Sequence, residues 1–254
     1  MFATAPGGRV LVPTLLGLSG IAWLTLAVWG QSPYGRYLDH QQLDGSGGAL
    51  VLPVFLVGWL VMLLAMMLPT SLPLVSLFAT MTRRRPDHHR LVLLLLTGYL
   101  GVWSVFGIAI HAFDAMLHAL VRQSEGLAEH GWLIGPAVLV LAGVYQFTPL
   151  KYHCLDKCRS PLSFITERWR GRAVRRSALR LGIDHGAFCI GCCWSLMLVM
   201  FAVGVGSLGW MLGLGTVMAV EKNVSWGRRL SLPVGVALVL AGVLSPLAGA
   251  PAWR

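Results

Sequence analysis

The sequence predicts an all-α membrane protein, a polytopic bundle of about seven transmembrane helices with a basic interfacial amphipathic helix added. Residues 1–254 read as a single integral membrane domain. Three observations carry this. Of the 254 residues, 56% are hydrophobic and only 12% charged, about half the charged share of an ordinary soluble domain. The mean hydropathy is +0.70, so lipid is the natural solvent for most of the chain. The apolar segments also divide the basic residues very unevenly between two sides.

The elements follow in order. The first apolar segment, about 10–29, shows no small-x-small cleavage site and reads as a membrane helix that stays. The second, about 50–80, contains Pro69 and Pro73, which predict a kink or an end to its regular part. The third runs about 91–119 and the fourth about 132–150. The fifth is about 185–204, the sixth about 207–221 and short, and the seventh about 231–247. Roughly 20 residues span a bilayer, so the second and third are long enough to tilt or protrude.

Basic residues orient this bundle. Arg9 and the loops 81–90, 151–182 and 222–230 together hold seventeen of the twenty lysines and arginines. A seven-helix count puts all three loops on one side, which the positive-inside rule makes cytoplasmic. The N-terminus is then cytoplasmic and the C-terminus outside. The net charge of +10 is therefore explained by a membrane orientation, and nucleic acid is not an expected partner. Within the longest loop, Leu162, Ile165 and Trp169 recur at helical spacing among arginines, and so do Val174, Ala178 and Leu181. This predicts an amphipathic helix on the inner leaflet, broken near Gly171, with anionic lipid as its partner and a docking protein as the alternative.

The chemistry gathers on the basic side. Residues 185–197 read HGAFCIGCCWSLM, placing His185, Cys189, Cys192 and Cys193 at the start of the fifth helix. Cys154 and Cys158 follow the fourth helix at the same depth. Met62, Met66 and Met67 precede Pro69 in the second, and Glu221 ends the sixth. At 100° per residue, His185, Cys189, Cys192 and Met200 fall within an arc of about 80°, with Cys193 one step round. Thiolate, thioether and imidazole together suit Cu(I) first and zinc second. Two other readings compete. Cysteine, glycine and methionine are ordinary packing residues in membrane helices. Disulfide exchange also uses cysteines, but these face the reducing side, where stable disulfides are disfavoured.

Other polar residues have plainer readings. Glu221 beside Lys222 reads as a helix-end ion pair, and Asp184 as a helix cap. Tyr145, Gln146 and Thr148 precede Pro149, which frees carbonyls that can line a site or a wet cavity. At the opposite end His111, Asp114 and His118 share a helix face, either as an outward metal or proton site or as a solvated helix end. Asp39, His40 and Asp44 are candidates to join it.

Three blocks, WLVMLLAMMLPTSLPLVSLFA, AGVYQFTPLKYHCLDKCRSPLSF and LGIDHGAFCIGCCWSLMLVMFAVGVGSLGWM, followed by Glu221–Lys222, resemble a bacterial family catalogued as predicted metal-binding integral membrane proteins. That family is defined by a domain of unknown function. The resemblance covers about residues 50–245 and implies a multi-helix inner-membrane protein with a metal site at the Cys/His motifs.

The leading expectation is binding of copper or zinc, with handling or delivery to a membrane metalloenzyme as its use. The candidate ligands are His185, Cys189, Cys192 and Cys193, then Cys154 and Cys158, then Met66, Met67 and Glu221. A structural or accessory subunit is the alternative, favoured by ten tryptophans and the Gly209–Gly213 small-residue pair. A thiol redox protein is the third reading. The chain shows no phosphate-binding glycine loop, which argues against ATP-driven pumping by this chain alone. It also shows no defensible Ser-His-Asp set, and an enzymatic role is not the favoured one.

Overall fold

The computed structural model describes residues 8–32, 51–123, 131–169, 173–203 and 207–246. Among them all regular structure is helical. The α-helices are α1 Gly8–Gln31, α2 Val51–Thr82, α3 His88–Gln123, α4 Ile134–Tyr145, α5 Pro149–Arg159, α6 Pro161–Arg168, α7 Val174–Val203, α8 Leu208–Asn223 and α9 Ser231–Leu244. Short 3-10 turns at Gly131–Leu133 and Gly227–Leu230 lead into α4 and α9. Five helices are long and apolar enough to cross a membrane, or six if α4 and α5 form one broken span. The expected count of seven is therefore not reached by this measure. The difference is α8, whose 16 residues are short for a span.

The prolines of α2 do not end it. A proline at 69 removes one i→i−4 bond and leaves the Ala65 carbonyl open. Two side chains of α1 take it up: Ser19 Oγ donates at 2.8 Å and Trp23 Nε1 at 3.1 Å. The same proline that weakens α2 thus docks α1 onto it, in an apolar setting where an open carbonyl is costly. Inside α2, Thr70 and Ser71 both donate to the Met67 carbonyl.

The break between α4 and α5 is a 65° bend. Thr148, held extended by the following proline, takes φ −73° and ψ 143° and accepts from the Lys151 amide. Pro149 then starts α5, where its missing N–H costs nothing. This turn brings Cys154 and Cys158 back toward the bundle instead of out into a loop.

Close helix crossings rest on glycine. A Cβ at Gly182 of α7 would lie 2.0 Å from the Leu95 carbonyl oxygen of α3, and one at Gly98 would lie 2.3 Å from the Leu179 carbonyl oxygen. Gly186 meets Tyr99 and Val102 further along, so α3 and α7 run in the same direction. By contrast, α4 and α9 cross antiparallel, with Gly143 against Gly235 and Val239, and Gly242 against Pro136 and Val140. Gly209 and Gly213 have open space where a Cβ would be, so they make no tight crossing with described residues.

The expected interfacial helix takes a different form. Its first half is α6, which buries Phe164 and Ile165 in the core and leaves Leu162 exposed. Its second half belongs to α7, which starts at Val174 and runs unbroken through the fifth apolar segment. Ala178 and Leu181 pack inside the bundle. Gly171 lies outside the described residues. On the exposed surface Lys157 pairs with Glu167 at 3.0 Å, joining α5 to α6 and holding the Glu167 carboxyl below its usual range.

Candidate metal centre

Three cysteines of α7 form the heart of the site. Cys189, Cys192 and Cys193 are all buried, and the described cysteines are free thiols. Within a helix a thiol can bend back to a preceding carbonyl. Cys192 Sγ and Cys193 Sγ both do so, donating to the Cys189 carbonyl at 3.1 and 2.9 Å. This draws Cys193 toward Cys189, although their positions differ by 40° around the helix.

The centre of the arrangement is Lys222, from the last turn of α8. Its ammonium Nζ lies 3.0 Å from Cys189 Sγ, 3.9 Å from Cys193 Sγ and 3.9 Å from Met67 Sδ. Thr70 Oγ1 is a fourth acceptor at 3.4 Å. Two thiols, one thioether and one hydroxyl thus surround a single buried positive charge. Tyr99 OH reaches Cys189 Sγ at 3.2 Å from α3.

A second sulfur pair adjoins the first. Cys158 Sγ of α5 lies 4.0 Å from Cys192 Sγ. Cys158 is only partly buried. Cys154 packs against α7 at Gly191, where a Cβ would stand 2.5 Å from its sulfur. Gly191 is therefore the space into which the α5 cysteine fits.

The remaining candidates lie elsewhere around this core. His185 Nε2 is 3.3 Å from Ser71 Oγ, and its ring stacks on Tyr99. Its buried Nδ1 has no hydrogen-bond partner among the described residues. Met66 lays its methyl group over Gly215 of α8. Glu221 turns to the other side of α8, where its carboxylate accepts from Lys151 Nζ at 2.7 and 2.9 Å and from Ser231 Oγ at 2.7 Å. Lys151 also donates to Gln146, which bonds Ser195 at 3.2 Å. Arg159 donates to the Glu221 carbonyl.

Glu221 and Lys222 therefore do not pair with each other. Neighbours on a helix point about 100° apart, so the dyad reaches two different networks. Sequence reasoning missed Lys222, Thr70 and Tyr99 as members of the sulfur site. For Lys222 the signal was available, since an ionisable residue in an apolar helix is a functional suspect by default. At the far end, His111 stacks on Phe55 at 4.5 Å. The side chain of His118, and residues 39, 40 and 44, lie outside the described residues.

Chemically, the inner set supplies soft, polarizable donors and excludes water. Among the described residues no three or more His, Cys, Asp or Glu side chains form a metal-holding group. The grouping that exists draws its third soft donor from methionine. Thiolate and thioether are donors that suit soft ions, Cu(I) and Zn(II) among them.

No curated protein and no solved structure matches the chain. A family model does. Residues 56–245, three quarters of the chain, match the model described as PpoB2, copper chaperone, and the span includes every sulfur and charged residue just described. The chain belongs to this copper chaperone family.

Proposed function

We propose that this protein is a multi-pass protein of the bacterial inner membrane that binds Cu(I) near the cytoplasmic leaflet and passes it on. Cys189 and Cys193 act as thiolate ligands and Met67 as a thioether ligand. Cys158 and Cys192 form the adjoining pair through which copper enters or leaves, and Cys154 supports them. The observation that carries this reading is the convergence of two thiols and a thioether on one buried cation, Lys222 Nζ, in a chain of a copper chaperone family.

Copper is cargo here, so its recipient is a second protein, proposed to be a membrane metalloenzyme. The basic loops support a cytoplasmic N-terminus, and the C-terminus lies outside in the arrangement in which the short α8 completes a seventh crossing. Arg175, Arg176 and Arg180 are exposed on that side, as is Leu162, and they supply a surface for anionic lipid.

The test is the metal content of detergent-purified protein. One copper per chain is expected after anaerobic loading with Cu(I). A folded wild type that takes up neither copper nor zinc overturns the reading. An accessory-subunit role is the second reading, favoured by the open faces of Gly209 and Gly213, which suit close approach of another helix. It is the reading left standing if no metal binds.

A further inference from the structure

The buried ammonium at the sulfur site has a consequence for which ion the site can hold. Lys222 is held at the end of α8, with Nζ 3.0 Å from Cys189 Sγ and 3.9 Å from both Cys193 Sγ and Met67 Sδ. Its remaining acceptor, Thr70 Oγ1, is neutral. The nearby Lys151–Glu221 pair is neutral as a unit, at 2.7 Å. Lys222 is therefore the fixed charge that the sulfurs meet.

Resting on the copper reading above, we propose that Lys222 is a specificity-determining residue that sets the charge of the bound ion. Cysteine ligates as thiolate, so Cys189 and Cys193 bring two negative charges, and Met67 brings none. With the ammonium of Lys222 the empty set carries one net negative charge. A monovalent ion brings the sum to zero. A divalent ion leaves one net positive charge buried among apolar side chains, where uncompensated charge is strongly penalised. The site thus discriminates by charge in addition to softness. Lysine suits this role because its ammonium is a compact point charge on a flexible stem and offers no lone pair to the metal. On loading, it gives up the sulfurs to the ion and keeps Thr70, the hydroxyl already within reach.

The experiment is competition binding on the full-length purified chain, with Ag(I) as a redox-inert monovalent soft ion, Cu(I) under reductant, and Zn(II). Lys222→Met keeps length and apolar character but removes the charge. With two thiolates, a monovalent ion then leaves one net negative charge, and a divalent ion leaves none. The Ag(I)-to-Zn(II) affinity ratio is expected to fall by roughly a hundredfold or more, the order given by one charge acting over about 4 Å in a protein interior. Lys222→Arg, which retains the charge, is expected to keep the wild-type ratio. Should Lys222→Met fail to fold, Lys222→Gln removes the same charge while keeping a hydrogen-bond donor for Thr70, and the ratio is expected to fall likewise. An unchanged ratio in the folded variant, or an equal loss for both ions, overturns the role of Lys222 and leaves copper binding standing. A wild type that binds neither Ag(I) nor Cu(I) overturns the copper reading, and this inference with it.

Discussion

Replacing Cys189 and Cys193 together by serine is expected to abolish copper binding and leave the protein folded. Serine is close to cysteine in size and keeps a donor. The bond from position 193 to the Cys189 carbonyl survives, and so does an acceptor for Lys222 at each position. The stability change is accordingly about 1 kcal/mol, the ordinary scale for exchanging one hydrogen bond for another. The metal loses far more, because a hydroxyl is a hard and poorly ionised donor where Cu(I) needs thiolate. The expected affinity loss exceeds the roughly 10–100-fold that follows from removing an outer-shell partner of a metal. Copper per chain and a thermal melt on the same preparation read both quantities. Serine at Cys158 and Cys192 is expected to slow loading and leave the final stoichiometry intact, since that pair only adjoins the inner set. Full copper content in the Cys189/Cys193 variant would remove these residues from the site.

Glu221→Gln is expected to have the largest effect on stability. It leaves the Lys151 ammonium, fully buried, without its counter-charge. Breaking one half of a buried ion pair costs about 3–5 kcal/mol, a large fraction of what holds a domain together. Glutamine still accepts from Ser231 and Lys151, but it cannot balance the charge. Most of the folded yield is expected to vanish, and Lys151→Met in the same chain is expected to restore much of it, because the double variant carries no unpaired buried charge. Copper stoichiometry in the surviving folded protein is expected to stay at the wild-type value. A stable Glu221→Gln protein lacking copper would instead make Glu221 a ligand.

The parts of the fold read correctly from sequence are those set by local pattern. Long apolar runs locate α1, α2 and α3, whereas the fourth segment, expected to run to about 150, ends at Tyr145 and turns at Thr148–Pro149 into α5. What escaped depends on partners distant in the chain. Pro69 looks like a break until Ser19 and Trp23, more than forty residues away, take up the Ala65 carbonyl. The arginine-rich run after Trp169 looks interfacial until Gly182 locks its continuation against Leu95.

The site shows the same division. The depth shared by five cysteines and three methionines follows from helix boundaries alone, so its neighbourhood was legible. Which sulfurs meet was not. The His185–Cys189–Cys192 arc leaves Cys193 to one side, although Cys193 lies only 40° from Cys189, and the fold turns Cys192 to Cys158 and gives Cys193 to Lys222. Glu221 and Lys222 look like a pair because they are adjacent, and adjacency on a helix is what keeps them apart.

The central claim is that copper sits on sulfur at the Lys222 junction. X-ray absorption at the copper edge of the loaded, purified protein tests it most directly. The expected spectrum is that of Cu(I) with a sulfur-only shell of two or three donors, lost in the Cys189→Ser/Cys193→Ser variant. A shell of nitrogen or oxygen donors, or a sulfur shell that persists in that variant, would contradict it.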